Sequence, residues 1–427
     1  MSQLLAPTNI MDRTLDFHVW LPQITFWLGL VLLVAVVFNR FGTKLGLPSG
    51  LLFLALGIIC GEDGPLHINF LDFDLSYGAG MICLILILFH AGLVIKIPAM
   101  RGSWVPSITL ATLGVVFIAG LIALFVKWWT PKTTWIEAML IGSVLGSTDA
   151  AAVFAALVGV HFKGRVRHIV ELESGLNDPM AFILVFSLTS IVLGKDMSAS
   201  EIGIDVLKQF IIGAAAGSLI GWITLLSFRY LPSQETGLYP VRSVACALAS
   251  YGLPSIFGGS GLVSVFLCAI YLGNSALPLR ATIVRVHDSL AWGGQITMFF
   301  FLGLLCTPHR LLDPKVLLSG SMLALWLAFI ARPVAVAGIL LPLKISWRET
   351  ACVAWLGLRG AVPIILSTIP LLFLGNPDLV HRAQQLFDLV FICVVVGCII
   401  PGTMIKLVPH WLHMLTTHTA AQEEAEV

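Results

Sequence analysis

Glu173, Ser174, Asn177 and Asp178 fall inside the apolar stretch Ile169 to Leu193. A carboxylate at bilayer depth costs a few kcal/mol on insertion scales and far more in simulations, so it requires a partner, a water path or a bound ion. Two carboxylates, a hydroxyl and an amide supply the hard oxygen ligands that a small cation prefers. On a helix, Glu173 and Asn177 stack one turn apart, as do Ser174 and Asp178, so the four border one broad stripe. Pro179 removes a backbone donor and opens the carbonyl of Gly175, a foothold for water or an ion. No His or Cys stands in the cluster, which argues against zinc or another soft metal. No cofactor is expected.

The other charges at comparable depth are few. Asp149 lies in Gly142–Ala150, where two glycines and three small polar residues read as a break in the fifth apolar span. Unwound backbone at membrane depth survives only when buried in protein or lining a cavity. Close packing of small residues would explain the glycines but not the aspartate. Its counterpart is Gly357–Pro363, where two glycines and a proline flank Arg359 in the twelfth span. Two interrupted helices of opposite charge, one per half of the chain, are the pattern of a transporter built from inverted repeats. Arg332 is the second deep arginine, while Lys208 lies near a helix end and can snorkel to the surface. Three acids (Asp149, Glu173, Asp178) against two arginines leave one carboxylate without a fixed counter-charge.

These residues must be positioned by membrane helices. The chain has 427 residues, 58% hydrophobic and 11% charged, with a mean hydropathy of +0.96. Soluble domains carry about 25% charge, so an integral membrane protein is expected. A net charge of +1 and the lack of long basic runs give no nucleic-acid signature. The eight cysteines lie mostly in apolar runs without CxxC spacing and read as small buried hydrophobes. The polar N-terminus has no basic n-region or A-x-A site, so no cleaved signal peptide is expected.

Apolar windows fall near 20–38, 47–60, 77–94, 104–126, 135–157, 169–193, 204–228, 238–252, 261–276, 288–306, 316–342, 350–374 and 385–408. They predict an all-α polytopic membrane protein of about 13 spans, although Val316–Pro342 can be divided differently. Lysine and arginine placement favours an outside N-terminus and a cytoplasmic C-terminus. Lys127 and Lys132 stand on the wrong side for that rule. Residues 412–427 read as a short, polar cytoplasmic tail.

Four segments carry a resemblance: GSTDAAAVF (Gly146 to Phe154), ESGLNDPMA (Glu173 to Ala181), ARPVAV (Ala331 to Val336) and GLRGAVPIIL (Gly357 to Leu366). In this order they resemble the monovalent cation:proton antiporter-1 family over almost the whole chain. Within it the chain is most similar to the NhaP-type bacterial branch associated with potassium/proton exchange, because Ala150 gives TDA where sodium exchangers commonly have TDP. The resemblance implies an NhaA/NhaP-like antiporter fold over residues 1–411, with core helices near 104–193 and 316–408 and dimerisation helices near 20–60 and 204–306. It implies a homodimer in the bacterial inner membrane, with Asp178 as the shared carboxylate for proton and cation. Asn177 would be its helix neighbour, and Ser174 and Thr148 would complete the shell around K+, Na+ or Li+. Glu173 would pair with Arg332 and Asp149 with Arg359. The long members of the branch carry a cytosolic regulatory domain after the last helix, so nothing about cytosolic regulation is carried over.

A free aspartate titrates near 3.9, so exchange near neutrality demands surroundings that disfavour its charged form. With Glu173 and Asp149 holding the two arginines, Asp178 is expected to take that part and to carry electroneutral, one-for-one exchange by alternating access. The chain is then a transporter and not an enzyme. A gated cation channel is the alternative, but no TVGYG-like filter segment is present. An intramembrane serine protease is a further alternative, since Gly258-Gly259-Ser260-Gly261 matches a G-x-S-G pattern. Weaker expectations place His90, Asn274, Gln295 and Asp388 in cavity walls or interhelical hydrogen bonds. His287 and Asp288 are pH-sensing candidates, and Glu137 reads as a funnel residue or an interfacial acid.

Overall fold

A computed structural model describes residues 22, 25–26, 29–38, 49–65, 67–68, 70, 72–149, 153, 162, 164–195, 198–373, 377–404 and 407–414. Expectations for Ala150, for most of the second half of the fifth span and for the tail after residue 414 lie outside the described residues. Helices run as α1 Gly29–Phe38, α2 Ser49–Cys60, α3 Phe73–Val94, α4 Trp104–Trp129, α5 Trp135–Val144 and α6 Val166–Val192. They continue as α7 Ala199–Tyr230, α8 Leu238–Ile256, α9 Gly261–Gly273, α10 Arg280–Leu304 and α11 Pro314–Leu340. Helices α12 Trp347–Trp355, α13 Ala361–Leu372 and α14 Pro377–Thr403 follow, and short helical turns lie at Pro308–Leu311 and Leu407–Trp411. Among the described residues, six helices are long and apolar enough to cross a bilayer by themselves.

The starts of several helices are written in local chemistry. Thr134 with Glu137, Ser198 with Glu201 and Ser346 with Glu349 form capping boxes, in which hydroxyl and carboxylate satisfy each other's orphan backbone donors. The span expected at 316–342 is one helix, α11, which ends at Leu340 and carries a π turn at Leu327–Ala331, directly before Arg332 and Pro333. The proline ring cannot accept the regular ladder, and the widened turn absorbs the misfit. A second π turn, Leu110–Gly114, interrupts α4. The same order therefore occurs twice: a helix with a π turn, then an interrupted helix, then a long one. This is the internal repetition expected from the two breaks.

Helices α2, α3 and α7 to α10 pack mainly on one another, and α4 to α6 with α11 to α14 form the other group. Helix α6 is the axis of the second group. It is buried without interruption from Ile169 to Ala181, and it packs against α4, α5, α9, α12 and α13. It runs through Pro179 without ending. Without a hydrophobic driving force between helices in lipid, close contact depends on small residues. Gly142 of α5 shows this: a Cβ there would lie 2.7 Å from the Ala119 Cα of α4. That backbone has nowhere to go, so Gly142→Val is expected to destabilise the protein by roughly 1–3 kcal/mol. Thermal unfolding of the purified variant in detergent measures this, and an unchanged transition contradicts the packing.

Candidate cation-binding site

Helix α5 stops at Val144 and the chain runs unwound through Asp149. Val153 N donates to Asp149 O at 2.9 Å. Helix α12 stops at Trp355, and α13 begins at Ala361 with Gly360 as its N-cap. Pro363 thus falls in the first turn of α13, where a missing N–H costs nothing, and the break lies just before it. The two unwound segments cross, and Asp149 N donates to Leu358 O at 2.9 Å.

The charges sit on the helix ends that this crossing exposes. Arg359 Nη1 donates to the carbonyl of Gly146 at 2.8 Å and also to that of Ser147. Those carbonyls follow the C-terminus of α5, where partial negative charge collects and a cation is stabilising. The Asp149 carboxylate occupies the space that a side chain at Gly360 would fill, against the N-terminus of α13. Asp149 and Arg359 thus each lie at a helix terminus of the opposite break. Cys398 of α14 adds a donor that the sequence did not single out, with Sγ 2.6 Å from Arg359 O.

The second expected pair is present. Arg332 holds Glu173 with two parallel bonds, Nη1 to Oε1 at 2.5 Å and Nη2 to Oε2 at 2.9 Å. The guanidinium also lies where a Cβ at Gly357 would stand, so α11, α6 and the α12 break are tied at one point. Val353 O accepts a further bond from Nη2 at 3.4 Å. The pair is no more than 3% exposed.

Between these charges lies a run of oxygens. Asn177 Nδ2 donates to Thr148 Oγ1 at 2.6 Å, and Thr148 Oγ1 donates to Ser174 Oγ at 3.0 Å. Thr148, from the break, is thereby fixed to the polar stripe of α6. Asp178 is 1% exposed, and its Oδ1 takes no hydrogen bond among the described residues; the same holds for Asn177 Oδ1 and Ser147 Oγ. Buried acceptors of this kind are costly unless something occupies them. Carboxylate, amide and hydroxyl oxygens on two crossing elements can hold a hard monovalent cation, and the carboxylate can instead hold a proton.

Other sequence candidates find other roles. Asp388 of α14 receives a bidentate bond from Arg310 at 2.7 and 3.1 Å. Asn274 ties the end of α9 to Ile95 O and Ile97 N, both at 2.9 Å. Gln295 is buried in α10. His287 Nε2 lies 2.8 Å from Ser243 Oγ, and His90 lies 3.6 Å from Asp288. Ser260 is the N-cap of α9 and accepts from Val263 N, which gives the G-x-S-G segment a structural task.

Comparisons with known proteins converge on one family. The sequence model described as sodium/hydrogen exchanger, transmembrane, matches residues 29–411. The chain is 37% identical over 389 residues to the K(+)/H(+) antiporter NhaP of Alkalimonas amylolytica, and 38% identical over 377 residues to the K(+)/H(+) antiporter NhaP2 of Shewanella baltica. These matches cover 91% and 88% of this chain but 66% and 64% of the relatives, so the chain spans just under two thirds of their length. The fold is similar to that of the sodium proton antiporter MjNhaP1 from Methanocaldococcus jannaschii, with a TM-score of 0.78 at 24% identity over 92% of this chain and 99% of that one.

Removing one member of a buried ion pair strands the other, at a cost of about 3–5 kcal/mol. Arg332→Ala is therefore expected to lower the thermal transition strongly, and Arg332→Ala/Glu173→Ala to recover part of the loss. A double variant no more stable than the single one contradicts the pairing.

Proposed function

The chain belongs to the sodium/hydrogen exchanger family, and we propose that it exchanges a monovalent cation for a proton across the membrane, with Asp178 holding one or the other in turn. The observation that carries this reading is the buried carboxylate of Asp178, with an oxygen that takes no hydrogen bond among the described residues, on the helix whose Ser174 and Asn177 are bonded to Thr148 of the break, while Glu173 holds Arg332. Thr148 and Ser174 complete the cation shell with Asp178. Glu173 acts through its bond to Arg332 and keeps that arginine away from the site.

A single carboxylate that is neutral when protonated and neutral when paired with a monovalent cation gives electroneutral, one-for-one exchange. Moving the bare carboxylate through the membrane carries the desolvation cost of an uncompensated charge, so only the occupied state crosses. This is alternating access, with α4 to α6 and α11 to α14 as the moving core. Helices α1, α2 and α7 to α10 form the dimerisation part of a homodimer. The protein spans the bacterial inner membrane with its N-terminus outside and its C-terminus in the cytoplasm. The substrate is K+ or Na+, and the names of the relatives at 37% and 38% identity favour K+.

The test is collapse of an imposed pH gradient in everted vesicles, with potassium, sodium and lithium titrated in turn. Wild-type protein is expected to dissipate the gradient on cation addition. Asp178→Asn is expected to fall to the level of vesicles lacking the protein while retaining expression and thermal stability. Cation-dependent proton flux surviving in that folded variant would sink the proposal.

A further inference from the structure

A cavity of about 460 Å³, lined by none of the cation-site residues, lies where α4 ends and α5 begins. Its volume is in the range of ligand-binding pockets, roughly 300–1,000 Å³. The walls are apolar: Phe125 and Val126 of α4, Leu140 and Ile141 of α5, Leu323 of α11 and Leu386 of α14. The rim is basic, with Lys132, Lys315 and Arg382, and Glu137 is its one acid.

Not all of this charge is available. Arg382 is engaged by Glu137, with Nη1 to Oε1 at 2.9 Å. Lys127, just outside the rim, donates to Pro131 O and Thr133 O at 2.9 and 2.6 Å. Lys132 and Lys315 are exposed and make no side-chain hydrogen bond or ion pair among the described residues. Lys132 is one of the residues that break the charge bias of the loops, and this cavity accounts for it.

The depth of the mouth is marked as well. Trp128 and Trp135, close in sequence to the lining residues Trp129 and Glu137, are 73% and 56% exposed, as aromatic residues at the headgroup level of a bilayer are. An apolar slot with two uncommitted lysines at headgroup depth matches one kind of occupant. We propose that the cavity binds an acyl chain of an anionic phospholipid from the adjacent leaflet, with the lipid phosphate held by Lys132 and Lys315. Basic pockets between membrane helices hold lipid headgroups by the same chemistry. The chain would lie against α5, the end of α13 at Pro370, and Thr189 and Val192 of α6. These are the helices that carry the cation site, so an occupant braces their outer ends.

The test is native mass spectrometry of the purified full chain in detergent, titrated with phosphatidylglycerol or with phosphatidylcholine of the same acyl composition. One tightly retained phosphatidylglycerol is expected, preferred by roughly tenfold or more given about 1 kcal/mol for each lysine near a phosphate. Lys132→Ala/Lys315→Ala alters only exposed side chains and is expected to bring the two lipids to near parity. Val316→Trp, which narrows the slot, is expected to weaken retention of both. Equal retention by wild-type protein overturns the proposal, as does a preference that survives loss of both lysines. Tight binding unchanged by Val316→Trp places the lipid elsewhere and also overturns it.

Discussion

Two unwound segments that cross inside the membrane are the constraint on which this structure depends. Each break frees carbonyls and N–H groups that lipid cannot satisfy, and each leaves a helix dipole ending at bilayer depth. The chain answers with one charge per break, and the charges are exchanged. Arg359 of one break caps the carbonyls that follow α5, and Asp149 of the other lies against the start of α13. Neither break can be satisfied without the other, which makes the crossing cooperative. Gly360 is required because any side chain there would displace the Asp149 carboxylate.

From this the electrostatics of the site follow. Arg332 is held by Glu173, and Arg359 Nη1 is bound to backbone carbonyl oxygens. Asp178 is buried on the same helix as Ser174 and Asn177, whose hydrogen bonds run to Thr148 and leave Asp178 Oδ1 unbonded among the described residues. A residual negative charge in a closed environment is unfavourable until a proton or a cation neutralises it. Structural charges are thus consumed in holding the breaks, and the proposed working charge is the one the count leaves over.

Much of this was legible in the sequence because membrane burial makes every deep charge conspicuous. Counting acids against arginines left one carboxylate over, and the family resemblance implied that Glu173 pairs with Arg332 and that Asp178 is the one left. Gly, Ser and Pro spacing marked both breaks. The target of Arg359 was not legible: its acceptors are backbone carbonyls, which every residue carries, and only the path of the unwound segment selects Gly146 and Ser147. The eleventh span could be divided differently on hydropathy alone, and the π turn that carries α11 past Pro333 has no mark in the apolar pattern. The start of α14 at Pro377, ahead of the apolar window at 385, was hidden because its first turns are polar. The basic-rimmed cavity gathers residues from distant segments, and only the misplaced Lys132 hinted at it.

The central claim is that proton and cation compete for one carboxylate. The most direct measurement is the apparent KM for the cation as a function of pH in proteoliposomes, with the same pH on both sides and exchange followed by tracer cation. The account predicts that, below the pH at which Asp178 titrates, KM rises about tenfold per pH unit while the maximal rate at saturating cation is maintained. A KM independent of pH over that range, with only the maximal rate changing, would contradict it and place proton and cation on separate groups.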